Sequence, residues 1–257
     1  MFFKLTEMIC STVKLLGYNI FSDRKEFFTS DFKGVISTIN PHSYIVARRD
    51  SIFRHALMTS DFLIPDGIGF VFASRVLIGS KIRKISGSDL HLILLKSLNQ
   101  RKGRCFYLGS SKITLYKIRK KIRKEFPKIT AGFYSPPYKR LFSDADTYSM
   151  IDAINNFVPD VLFVGMTAPK QEKWIFQNRQ KLDVPIICAI GAVFDFYSGT
   201  VKRPVEFWVK IGLEWFIRLM KEPKRLWSRT LISTPLFIWC VLYEKINLIF
   251  NPIRNYK

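Results

Sequence analysis

The segment Ile64-Pro-Asp-Gly-Ile-Gly69 places an acid directly after an apolar run and beside two glycines. Ligands of open α/β sheets bind outside the carboxyl ends of the strands. A carboxylate there is positioned to take a proton from an attacking hydroxyl, which makes Asp66 a candidate general base. Gly67 and Gly69 would let a substrate approach the backbone closely. The same Asp-Gly pair also reads as a turn before a helix. Ser37-Thr-Ile-Asn-Pro41 ends a second apolar run. Thr38 and Asn40 offer neutral groups of the kind that read sugar hydroxyls or a nucleobase, or else an Asn-Pro turn.

Three further segments have the same strand-to-helix character. Arg83-Lys-Ile-Ser-Gly-Ser-Asp89 combines a Ser/Gly-rich helix start with adjacent cations. It suits a phosphate, and an ordinary N-cap at Ser86 or Ser88 explains it equally. Leu108-Gly-Ser-Ser-Lys112 is similar, but lacks the glycine spacing of a P-loop or a dinucleotide fingerprint. Val164-Gly-Met-Thr-Ala-Pro-Lys-Gln-Glu-Lys-Trp174 puts Pro169 in a first helical turn and Gln171 toward the same cleft as Asp66. In Ala189–Gly199, Asp195 reads as a backbone-bonding acid or a catalytic one. His42, His55 and His91 have no nucleophile-elbow context. These strand ends carry no Asp-x-Asp pair for a metal-bound nucleotide, so no cofactor and no metal requirement are expected.

The elements that must position these residues are legible as alternation. Strands are predicted over Gly34–Ile39, Asp61–Ile64, Arg104–Leu108, Ile129–Tyr134, Val161–Gly165 and Pro185–Ile190. Several are nearly all apolar, as strands covered on both faces are. Helical spacing marks Ser88–Leu98 and Lys112–Phe126, the latter with seven basic residues. The pattern predicts an α/β sandwich with a mostly parallel sheet flanked by helices.

The chain has 257 residues, and 41 Lys+Arg against 20 Asp+Glu leave a net charge of +21. A 48% hydrophobic composition supports a packed core and excludes a disordered basic tail. The charge points to an anionic partner: nucleic acid, an acidic membrane or phosphorylated substrates. Cys10, Cys105, Cys188 and Cys240 are widely separated and read as buried reduced thiols. Lys4, Glu7 and Lys14 interrupt the apolar N-terminus, leaving no clean signal-peptide core.

Composition shifts after Gly199, giving an expected core over 1–199 and an appendage over 200–257. From Lys202 onward there are eleven Lys/Arg, four Glu and four of the five tryptophans. Basic residues mixed with large aromatics suggest a helical, membrane-associating appendage, broken by Pro223 and Pro235. Its uncharged run Thr230–Tyr243 is fourteen residues, short of the about 20 that span a bilayer. The expectation is a cytoplasmic protein that lies on a membrane.

Taken in order, Thr-Ile-Asn, Pro-Asp-Gly-Ile-Gly, Ser-Gly-Ser-Asp, Tyr-Leu-Gly-Ser, Gly-Phe-Tyr-Ser-Pro-Pro-Tyr, Val-Gly-Met-x-x-Pro-Lys-Gln-Glu, Gly-Leu-Glu-Trp and Glu-Pro-Lys-Arg-Leu-Trp run from about residue 15 to about residue 230. This series closely resembles the WecG/TagA/CpsF family of bacterial glycosyltransferases. The resemblance implies a Rossmann-like α/β core with a C-terminal helical appendage, and an inverting enzyme, peripheral on the cytoplasmic face of the inner membrane, that moves a sugar from a UDP-sugar donor to a lipid-linked diphosphate-sugar acceptor. N-acetylmannosamine, its uronic acid or a hexose would be the sugar donated, and undecaprenyl diphosphate the acceptor's lipid. By position, Asp66 matches the family's proposed base, Thr38 and Asn40 its polar pocket, and Gln171 its pocket glutamine. Gly67 falls beside the base. Lys84 stands where the family often has Arg, keeping the charge without the planar fork. Arg218, Arg225 and Arg229 match basic positions thought to cover the diphosphate. The expected partners are therefore the two substrates and an anionic membrane, not nucleic acid, with a homo-oligomer left open. A basic nucleic-acid-binding module, motivated by Lys117–Lys124, and a non-catalytic scaffold of a polysaccharide assembly complex are the alternatives.

Overall fold

A computed structural model describes residues 12–21, 33–80, 82–201, 219–220 and 223–250, apart from the side chains of Lys224 and Arg225. Within it, the chain forms an α/β fold around a six-stranded sheet whose ladders are all parallel. The strands are β3 (Gly34–Ile39), β4 (Phe62–Pro65), β5 (Arg104–Gly109), β6 (Thr130–Tyr134), β7 (Val161–Gly165) and β8 (Ile186–Ala189). They lie in the order β4-β3-β8-β7-β5-β6. Each predicted strand is present, with ends moved by a residue or two.

Both faces of the sheet are covered, which explains the apolar runs. Alternate residues of one strand serve opposite layers. On β7, Val161 and Phe163 face one core, shared with helices α4 (Gly87–Arg101), α5 (Lys112–Glu125) and α8 (Val193–Ser198). Leu162 and Val164 face the other, against α6 (Asp144–Phe157) and α7 (Lys170–Asn178). On α5, Leu115, Ile118 and Ile122 are buried, which leaves its basic residues on the outer side.

A hairpin precedes the sheet and was not anticipated from sequence. Strands β1 (Thr12–Leu15) and β2 (Tyr18–Phe21) pair antiparallel, with Leu15 opposite Tyr18. The two turn residues, Leu16 and Gly17, both have positive φ, at 53° and 83°. That is the backbone a tight two-residue hairpin needs. Leu15, Tyr18 and Ile20 drop into a third core, formed with α1 (Pro41–Ala47), α2 (Ser51–Met58) and α3 (Ile68–Ile78).

The C-terminal region departs from expectation at Pro235. Helix α9 (Pro223–Trp227), a π-helical stretch (Ser228–Ser233) and α10 (Thr234–Phe250) follow without a break. A proline inside an α-helix lacks an N–H and clashes with the carbonyl four residues back. The wider π turn immediately before Pro235 relieves both problems, and Thr234 Oγ1 donates to the carbonyl of Arg229, five residues back, at 3.3 Å. Helix α10 belongs to the third core through Phe237 and Val241. The Phe237 ring meets Tyr44 edge-on at 5.4 Å and Phe70 at 5.2 Å. Ser228–Phe250 is one helical run of 23 residues, long and apolar enough by composition to cross a membrane. The fourteen-residue uncharged stretch therefore understates the helix. Residues 1–11, including Cys10, lie outside the described residues, and Cys105, Cys188 and Cys240 are free thiols.

Candidate active site

A cleft of about 340 Å³ opens at the carboxyl ends of the central strands. The connection after β3 leads outward to β4, whereas β5 lies on the other side of β8 and β7. Such a reversal opens a crevice above the sheet. Each neighbouring strand delivers residues to it. β3 ends in Thr38 and Asn40, β4 in Asp66, β5 in Ser110, β7 in Gly165 and β8 in Ile190 and Gly191, all of which line the cleft.

Local structure holds the polar residues in place. Asn40 caps α1 through Oδ1, which accepts from the Ser43 N–H at 3.0 Å, while Ser43 Oγ accepts from the Asn40 N–H at 2.8 Å. The Asn-Pro pair is thus a cap and a cleft wall at once. The Asp66 N–H donates to the carbonyl of Ile39 at 2.9 Å, extending the β3–β4 ladder and bringing the acid alongside Asn40. Ser86 caps α4 in a capping box with Asp89, and Ser86, Gly87 and Ser88 line the cleft. The N-terminal end of a fifteen-residue helix therefore borders the cavity, where its dipole favours an anion.

Gln171 is buried and joins two loops. Its Oε1 accepts from the Met166 N–H at 3.3 Å and from the Gly191 N–H at 3.1 Å, and its Nε2 donates to Glu172 Oε1 at 2.8 Å. A side chain at residue 191 would place its Cβ 3.0 Å from Gln171 Oε1, a tight contact that would push the amide by a few tenths of an ångström. Gln171 shapes the cleft by holding the β7–α7 and β8–α8 turns together.

The structure separates the expected residues. Thr38, Asn40, Asp66, Gln171 and Arg229 line the cleft. Gly67 does not: it precedes α3 with φ +86°, a backbone requirement, and space is open where a Cβ would stand. Gly69 serves packing rather than substrate, because a Cβ there would meet Pro41 Cγ at 2.3 Å. Lys84 lies two residues before Ser86 and is not among the lining residues. Arg218 and the side chain of Arg225 lie outside the described residues. The chain does hold one Asp-x-Asp, Asp144-Ala-Asp146, but at the start of α6. There Asp146 completes the Ser143 capping box and pairs with Lys139 at 2.8 Å, which hold its carboxyl down at about 2. Neither acid lines the cleft.

Two cleft residues have surroundings that the sequence did not suggest. His42 joins α1 to the C-terminal run through a 2.9 Å hydrogen bond between Nδ1 and Ser233 Oγ. Burial and the positive charge of Arg229 lower its pKa to about 4, so the ring is neutral. Glu172 is buried in the cleft floor, and burial raises its pKa to about 7. A polar residue on the first position of an apolar surface gives a signal only when its neighbours are known. Asp195, considered from sequence, does line the cleft.

A parallel sheet with a polar cleft at its carboxyl edge is the arrangement in which α/β proteins bind their ligands, and the helix N-terminus and arginine beside it suit an anionic one. The chain belongs to the WecG/TagA/CpsF glycosyl transferase family, whose model matches residues 13–250, and it is a glycosyltransferase. It is similar to the N-acetylglucosaminyldiphosphoundecaprenol N-acetyl-beta-D-mannosaminyltransferase of Bacillus subtilis strain 168, with 34% identity over 87% of this chain and 84% of that protein. The protein of the same name from Bacillus spizizenii strain W23 is 34% identical over 80% of this chain and 78% of its own length. That of Staphylococcus aureus strain MW2 is 25% identical over 82% and 80%.

Proposed function

We propose that this chain transfers an N-acetylmannosamine-type sugar from a UDP-sugar, with inversion, to a lipid-linked diphosphate-sugar acceptor at the cytoplasmic membrane face. The observation that carries the reading is the meeting of Asp66, from the end of β4, with Arg229, from the C-terminal helical run, in one cleft. Chemistry that builds a glycosidic bond on a hydroxyl needs a base at the attacking oxygen and positive charge at the departing diphosphate. Asp66 takes the proton from the acceptor hydroxyl as the new C–O bond forms. Arg229, with Arg218 and Arg225, and the N-terminus of α4 receive the charge that develops on the leaving group. Thr38 and Asn40 hydrogen-bond the donor, and Gln171 keeps the turns beneath it fixed. This reading assigns the leaving-group charge to cations and peptide dipoles and requires no metal. The names of the similar bacterial proteins support the N-acetylmannosaminyl donor and the undecaprenyl-diphosphate acceptor.

The same helical run accounts for the membrane side. Trp239, Leu242, Ile246 and Ile249 of α10 are exposed, while Phe237 and Val241 are anchored in the core. A helix fixed along one side to the protein lies on a bilayer more readily than it crosses one. The test is transfer of N-acetylmannosamine from its UDP derivative to a lipid-diphosphate-linked N-acetylglucosamine. Asp66→Asn is expected to abolish transfer while retaining the fold. Full activity in that variant removes Asp66 from the base role, and salt-sensitive nucleic-acid binding without any transfer replaces the reading altogether.

A further inference from the structure

Glu172 is 3% exposed, lines the cleft, and has one oxygen that nothing in the protein satisfies. Its Oε1 accepts from Gln171 Nε2 at 2.8 Å, whereas Oε2 has no hydrogen-bond partner. Buried polar atoms without a partner are rare in folded proteins and cost enough to require an explanation. A charged carboxylate in this position would need a cation, and the nearest lysines on its own helix are engaged elsewhere. Lys170 bonds the carbonyl of Lys139 and covers the Phe142 ring, and Lys173 pairs with Asp50.

We infer that Glu172 is a neutral carboxylic acid whose Oε2, closed to solvent in this structure, turns toward the cleft on binding and donates its proton to an uncharged oxygen of the nucleotide-sugar. This rests on the proposed function and adds a specificity residue to it. The chemistry fits the position: with Oε1 occupied by an N–H donor, the proton belongs on Oε2, where it lacks an acceptor. A hydroxyl or carbonyl oxygen of the sugar or base supplies one. Ionisation would instead set a second negative charge in the same cleft as the donor's diphosphate.

The surrounding charges do not account for the state of Glu172. On α2, packed against α7, the titratable groups are Arg54 and His55, with Asp50 at its cap. After α7 come Arg179, paired with Asp61, and Lys181. Strand β8 contributes only the buried thiol of Cys188, and Asp66, Asp195, His42 and Arg229 lie around the cleft. Burial is the dominant influence on the Glu172 carboxyl, and the hydrogen bond from Gln171 and the residue's own backbone N–H oppose it.

The experiment is calorimetric titration of the full chain with UDP-N-acetylmannosamine at about pH 6 and about pH 8.5. The diphosphate diester of this ligand does not titrate in that window. If only the protonated acid binds, with a pKa of about 7, affinity falls about 30-fold between the two conditions. Glu172→Gln keeps an N–H donor and has no proton to lose, so it binds within about threefold of the wild type at the lower pH and shows no fall. Glu172→Leu folds, as its thermal melt reports, but binds about tenfold more weakly than the wild type at the lower pH and shows no further fall at the higher. Wild-type affinity that is unchanged with pH, or a Glu172→Gln variant that still loses affinity, overturns the inference and leaves the proposed function standing. Absence of UDP-sugar binding by the wild type at either pH overturns both.

Discussion

Replacing Gln171 by Leu removes three hydrogen bonds and leaves an apolar side chain one bond shorter. The amide oxygen satisfies the N–H groups of Met166 and Gly191, and the amide nitrogen satisfies Glu172 Oε1. Orphaning a buried polar group costs about 1–3 kcal/mol. The Met166 and Glu172 groups are sealed from water, whereas Gly191 is half-buried at the cleft and can regain a water. Two full penalties and a fraction of a third give about 3–5 kcal/mol of lost stability. Chemical denaturation of Gln171→Leu against wild type reads this as a lower midpoint at unchanged slope. Because the lost bonds hold the β7–α7 and β8–α8 turns together, affinity for UDP-N-acetylmannosamine is expected to fall by at least about tenfold in the fraction that remains folded. A loss below about 1 kcal/mol with donor affinity intact would refute the view that Gln171 locks the cleft. Loss of affinity with stability unchanged would instead place Gln171 in direct contact with substrate.

Other consequences are testable with the same protein. Asp66→Asn should lower the transfer rate by about 10²–10⁴-fold with donor affinity changed only a fewfold, since base catalysis and binding are separate contributions. Burial depresses the His91 pKa to about 3, so the unfolded chain takes up a proton first as pH falls below about 6.5. Stability should therefore decline from about pH 6.5 toward pH 3 by several kcal/mol, and His91→Leu should flatten that acid limb in denaturation measurements. Glu172 acts in the opposite direction: its raised pKa contributes stability below about pH 4.5 that is lost as pH rises through about 7, so Glu172→Leu should be relatively more stable at alkaline pH. Phe237→Ala removes a ring packed on Tyr44 and Phe70 and should cost about 3–5 kcal/mol. Trp239→Glu with Ile246→Glu should release the protein from anionic vesicles in sedimentation while leaving its melting temperature nearly unchanged, because both side chains are exposed.

The sequence alone determined the sheet, because strands covered on both faces must be apolar throughout and short, and Gly34–Ile39 and Val161–Gly165 announce themselves on that ground. It also determined which strand ends carry polar groups, since Thr38 closes one strand, Asn40 and Asp66 directly follow strands, and Gln171 stands in the helix entered from another. The hairpin at Leu16-Gly17 was within reach of the same reasoning, through alternation around a glycine, but its strands are only four residues each and leave a weak pattern. Tertiary structure decided the rest. Strand order placed β8 between β3 and β7, and only that adjacency brings Asp66, Gln171 and Asp195 to one cavity. Gly67 and Gly69 look alike in sequence, yet one answers to a backbone angle and the other to the ring of Pro41. Pro235 continues a helix because the preceding turn is π-helical, and the helix it enters packs on α1 and α3. Glu172 is one acid among 20 Asp and Glu in the chain. Its proton affinity is a property of the burial around it, and burial is created by residues distant in sequence.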